Sequence, residues 1–258
     1  MSLESNSQKT VSSNSVQRFI RPAIFNNMRI AITTILLIAF AATIAFAQST
    51  LPTRDSWHAF WQPGLKLTYR DYKGAATKEV VEMMDKYDFN ASASVGIWSI
   101  LDIPKKKADR YKKFEKVYFA PAFEFATSFA RTTDSLEIEK QNIYLDICEI
   151  AARFARKKLR SIQDSTKATG TLTIMYMTVK DEMHEMRIKM YNSYFQDVFI
   201  DKKPDGFQEW RKFFDNLLSE TTQWATTPEE CYRLMTQKPI EKGYIEAPYV
   251  VGSFKKEK

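Results

Sequence analysis

Residues 135–162, SLEIEKQNIYLDICEIAARFARKKLRSI, carry the reading that decides the fold. Ile143, Ile147, Ile150, Ala151 and Phe154 recur at helical spacing, with charged residues between them, so the stretch predicts one long amphipathic helix with those five toward the core. Thr132, Thr133, Asp134 and Ser135 stand at its start, and any of them can cap it.

Downstream, Gly170 closes a polar link and residues 172–199 predict a second helix. Its Met183, Met186, Met190 and Tyr194 lie near one stripe, which reads as adaptable core filling. Residues 201–206 form a turn, and residues 207–218 a third helix with Trp210, Phe213, Phe214 and Leu217 as its apolar face. A short helix after Pro228 and an irregular tail complete the chain. Upstream, residues 48–63 read as a helical or irregular lead-in. Leu65, Leu67 and Tyr69 alternate as a short strand before a turn from Asp71 to Gly74. Residues 90–103 and 117–129 are the strong strand signals, joined by a charged connector over 105–113. Phe119, Phe123 and Phe125 share one face of the second strand, and Pro121 argues for an edge or a bulge. The expected class is therefore α+β, a small antiparallel or mixed sheet packed against long helices.

With 258 residues, 44% hydrophobic and 27% charged, the chain has the composition of one globular domain, placed at 48–258. Residues 28–50, MRIAITTILLIAFAATIAFAQST, have the basic start, apolar run and small residues of a secretory signal cleaved after Ala47, with Met28 as a candidate true start. An uncleaved anchor is the competing reading, since residues 30–47 approach the length of a spanning helix. No Cys follows the run, so a lipoprotein anchor is not indicated. Removing Lys9, Arg18, Arg21 and Arg29 with Glu4 lowers the formal charge from +7 to +4. The remaining basic clusters, at 105–107, 153–160 and 255–258, read as solvated faces, and nucleic acid is not an expected partner of an exported protein. Cys148 and Cys231 can bridge in an oxidising compartment or lie buried as small hydrophobes. There is no Gly-rich phosphate loop, G-x-S-x-G elbow or C-x-x-C.

Several segments together resemble domain of unknown function 922, a family of bacterial secreted proteins regarded as zinc-dependent proteases. Leu67, Thr68, Tyr69, Asp71, Tyr72 and Gly74 match its opening L-T-W-x-D-F-x-G, Ser128 and Phe129 its Ser-Trp, and Gln208 and Trp210 approximate a Q-x-x-W element. The long helix of the family opens with H-E-x-x-H, then Asp and Glu. Asp146 and Glu149 fit the last two, but the histidine positions hold Lys140 and Tyr144 and the glutamate position holds Gln141. The resemblance thus implies a zinc-peptidase-like architecture whose metal triplet is degenerate.

In H-E-x-x-H the two imidazoles share a helix face and the Glu activates the metal-bound water. A Lys ammonium repels a cation, a Gln amide takes no proton, and Tyr144 as phenolate would lack partner ligands. His58 and His184 are the only histidines, and the third-ligand segment, 196–206, offers none. His184-Glu185 is followed by Ile188 instead of a second His. Carboxylates such as Glu149 read as partners of cations one turn on, here Arg153. The expectation is a secreted or periplasmic pseudoenzyme without catalytic residues, metal or cofactor. It binds a protein or peptide at a cleft formed by Lys140, Gln141 and Tyr144, and has no membrane span once the signal is removed. The alternatives are a hydrolase, peptidase or amidase, working without zinc or through carboxylate-bound metal, and a structural envelope component. Oligomeric state is left open.

Overall fold

A computed structural model of the protein describes residues 51–248; the predicted export signal and the 255–258 cluster lie outside them. In chain order the elements are β1 (His58–Phe60), α1 (Lys78–Tyr87), β2 (Ala91–Ser92), β3 (Val95–Pro104), β4 (Lys116–Glu124), β5 (Phe129–Ala130), α2 (Ser135–Thr166), α3 (Thr171–Phe195), α4 (Gly206–Glu220), α5 (Pro228–Thr236) and β6 (Tyr244–Glu246). A turn of π-helix, Gln196–Ile200, extends α3. The fold is α+β: a four-stranded sheet in the order β1-β4-β3-β6, antiparallel throughout, a separate β2–β5 pair, and helices on both faces.

The long helix begins as expected, with the Asp134 carboxylate accepting from Leu136 N (2.7 Å) and Glu137 N (3.3 Å). Its middle is not amphipathic. All seven residues from Ile147 to Arg153 are buried, including Glu149 and Arg153. The helix is enclosed because the sheet, α3 and α4 pack around it, and a helix covered on every side must bury whatever polar residues it carries. The basic run at 153–160 is accordingly a solvated face only in part: Arg153 and Arg156 point inward, whereas Lys157 and Arg160 are exposed. Toward the sheet and α3 the helix presents Ala151, Ala152, Ala155 and Leu159, where the small side chains permit close approach. Phe154 falls outside that face and is exposed, contrary to expectation.

The sequence assignments of α3, α4 and α5 hold to within a few residues, and Met183, Met186 and Met190 fill core. Phe213 does not, being 46% exposed while Phe214 is buried. The strand expected at residues 65–69 is absent. Thr68 and Asp71 instead form a capped 3-10 turn, with Asp71 Oδ2 accepting from Thr68 N at 2.8 Å, and the edge of β4 that such a strand would use is occupied by β1. The tail is not wholly irregular, because β6 pairs with β3.

Pro121 does not mark a sheet edge; β4 lies between β1 and β3. Its missing donor faces Trp61, just past the end of β1, where Trp61 N donates to Pro121 O (2.9 Å). The Trp61 carbonyl accepts from Gln62 Nε2 instead (2.6 Å). One step further β1 has ended. There Phe119 O accepts from Arg156 Nη2 (2.6 Å) and Phe119 N donates to Glu230 Oε1 (3.4 Å), so side chains from α2 and α5 replace the missing strand.

Candidate functional site

The face of α2 carrying Lys140, Gln141 and Tyr144 does not form one cleft. Lys140 lines a depression of about 330 Å³ with Asp88, Lys202 and Phe207, and its ammonium is paired with Glu137 at 2.7 Å. Gln141 and Tyr144 open instead onto a cavity of about 280 Å³ walled by Met83, Phe89, Tyr191 and Phe195. A helical step of four residues keeps Lys140 and Tyr144 on one side of the axis, but α1 and α3 cover that side so as to leave two separate openings.

In the second cavity Gln141 Oε1 accepts from Ala93 N at 3.3 Å, which ties α2 to the residue after β2. The Tyr144 ring meets Tyr191 and Tyr194 edge-on at 4.9 and 5.3 Å. Both partner phenols brace the helix backbone: Tyr194 donates to Lys140 O (2.7 Å) and Tyr191 to Tyr144 O (3.3 Å). Burial pushes the Tyr144 phenol above its usual range, so it stays protonated near neutrality and serves as a hydrogen-bonding group. Among the described residues, neither Gln141 Nε2 nor Tyr144 Oη has a hydrogen-bond partner.

The two carboxylates that fit the metallopeptidase pattern are committed elsewhere. Asp146 accepts from Trp61 Nε1 (2.7 Å) and Arg211 Nη1 (2.6 Å). Glu149 accepts from Arg153 Nε (2.7 Å), Thr226 N (2.9 Å) and Thr226 Oγ1 (2.5 Å). The Glu149–Arg153 pair is therefore real but interior, and Arg153 also lies over the Trp61 ring at 4.8 Å. Among the described residues, no group of three or more His, Cys, Asp or Glu side chains is placed to share a metal ion. His58 pairs with Asp55 beside Trp98, and His184 meets Arg187 on the exposed side of α3.

Tyr72, Gly74, Ser128 and Trp210 of the pattern have structural roles as well. Tyr72 Oη donates to Asn142 Oδ1 (2.9 Å), and Asn142 Nδ2 returns to Leu67 O (3.0 Å). Gly74 lies so close to the β4–β5 turn that a Cβ would come within 2.5 Å of Ala126 O. Ser128 Oγ donates to Glu124 O (2.6 Å) and accepts from Ser94 N (2.9 Å). Trp210 Nε1 donates to Asp197 (2.9 Å), whereas Gln208 is exposed.

Both cysteines are free and buried. Cys148 contacts Tyr191 Oη at 2.9 Å, and Cys231 packs with Phe60, Ile100 and Leu234 on the opposite face of the sheet, so no disulfide joins them. Burial raises the Cys148 thiol from 9.0 to about 11 and the Cys231 thiol to about 12. Stability held by the protonated thiols is thus present in full below pH 9.0 and lost as pH rises through those values. A disulfide-exchange reagent at about pH 8 should titrate neither thiol in the native protein and both after unfolding in guanidinium. Rapid native reaction of either would contradict this burial.

α1, which contributes Met83 to the cavity wall, lies outside every element expected from the sequence. The signal was there: Thr77 accepts from Val80 N, and Val80 and Met84 follow at helical spacing. No protein-family model matches the chain, and neither a curated protein nor a solved structure does.

Proposed function

We propose that this chain is an exported, non-catalytic binding protein that accepts an apolar side chain of a peptide or protein in the cavity at Gln141 and Tyr144. One observation carries the reading: Gln141 and Tyr144, whose Nε2 and Oη have no hydrogen-bond partner among the described residues, line a small cavity walled mainly by Met83, Phe89, Ala93, Tyr191 and Phe195, with Ser92 and Asn192 as its further polar residues. That combination orients a ligand through a few hydrogen bonds while apolar burial supplies affinity. Lys140 belongs to the rim of the neighbouring depression and is left out of the contact set. The committed state of Asp146 and Glu149 supports a scaffold related to a metallopeptidase in pattern and used for binding alone. Export rests on the leader sequence; among the described residues no helix is long and apolar enough to cross a membrane.

The test is a nuclear magnetic resonance titration of the full chain with N-acetyl-phenylalanine amide, using the alanine analogue as control. The phenylalanine probe should shift the Ala93 amide saturably, with affinity in the millimolar range for so small a ligand. Met83→Trp, which fills the cavity from its rim, should abolish the shift without unfolding the protein. Equal response to both probes would refute the site. Cleavage of peptide substrates that is lost in Lys140→Ala or Tyr144→Phe would favour the hydrolase alternative, and recovery in a membrane complex with the cavity sealed would favour the structural one.

A further inference from the structure

A depression of about 710 Å³ lies away from Tyr144, between the start of β4, the C-terminal half of α2 and the N-terminus of α5. Its charges are unevenly matched. The four cations on its walls are all paired: Lys113 with Asp109, Lys116 with Glu241, Arg156 with Glu230 and Arg160 with Asp164. Of its four carboxylates, Glu230 and Glu241 are thereby used, while Glu115 and Glu229 have no cation among the described residues.

Glu229 is exposed and solvated, but Glu115 is only 6% exposed and its Oε2 is buried without a hydrogen-bond partner among the described residues. Buried carboxylates are ordinarily paired or hydrogen-bonded, because desolvating the charge costs several kcal/mol otherwise. Trp224 lines the same groove, and among the described residues its indole Nε1 is likewise buried without a partner. Phe114, Tyr118, Ile240 and Tyr244 add the apolar and aromatic surface along which the stem of a long cationic side chain can lie. A carboxylate acceptor, a donor unpaired among the described residues and an aromatic wall thus line one groove.

We propose that this groove binds an arginine side chain presented by a peptide or protein partner, with the guanidinium on Glu115 and a carbonyl of the partner on Trp224 Nε1. The planar fork of arginine matches a carboxylate better than a lysine ammonium does, and it tolerates aromatic walls. The proposal is independent of the Tyr144 cavity and stands or falls separately from it.

The experiment follows the indole N–H resonances of the full chain, which has 5 tryptophans; the signal lost in Trp224→Phe identifies Trp224. N-acetyl-arginine amide should shift that resonance saturably, and the citrulline analogue, equal in shape and without charge, should bind at least about tenfold more weakly. Glu115→Gln should reduce arginine binding to the level of citrulline. Absence of a saturable shift, equal affinity for the two probes, or unchanged binding by Glu115→Gln would overturn the assignment. The comparison of the two probes on the unaltered chain decides it even if the variant does not fold.

Discussion

Replacing Arg233 by Met is expected to destabilise the fold by about 3–5 kcal/mol, the loss typical of removing one member of a buried ion pair. Arg233 is fully buried, and its Nε and Nη2 donate to the two oxygens of Asp102 at 2.8 and 2.6 Å. Asp102 is itself only 1% exposed and sits in β3, so the pair holds α5 against the sheet. Without Arg233 the carboxylate is left charged in an enclosed site. The double variant Arg233→Met/Asp102→Leu removes both charges and should recover most of the loss, since apolar residues of similar volume often replace a buried pair at little cost. Urea unfolding midpoints of the two single variants and the double variant measure this directly. Additive losses would mean that the pair is not the source of the effect.

Glu149→Ala should cost a similar amount, again about 3–5 kcal/mol. Its carboxylate is the acceptor for Arg153 and for both Thr226 donors, with Arg156 Nη1 at 3.7 Å. Removing it leaves Arg153, otherwise bonded to Leu218 O and Thr221, without its counter-charge inside the protein. The expected signature is a lowered denaturation midpoint. A stable variant with the original midpoint would mean that the interior network does not hold α2, α4 and the segment before α5 together.

Periodicity made α2 legible because its ends are amphipathic and its start carries an Asp cap. The same periodicity concealed the middle of the helix, where burial on all sides is a property of what packs around it and not of its own pattern. Pro121 shows a related limit. A proline in a strand argues for an edge, yet here a neighbouring strand ends at the position its missing donor would face, a coincidence of two distant segments. β1 and β6 are each three residues long, too short to show alternation, and exist because β4 and β3 offer edges to pair with. At the candidate site, helix numbering placed Gln141 and Tyr144 together. It could not show that Lys140 would be diverted into another opening. Glu115 and Trp224 share a groove through tertiary folding alone, and neither stands in a motif.

We propose that Asp146 and Glu149, which resemble part of a zinc-peptidase pattern, serve the interior alone, and that the face of Gln141 and Tyr144 serves binding. The most direct measurement is the zinc content of the purified full chain after exposure to zinc and exhaustive dialysis, compared with Asp146→Asn and Glu149→Gln. The account predicts far less than one zinc per chain in all three, with the two variants changed in stability alone. One tightly held zinc per chain, lost on either substitution, would contradict it.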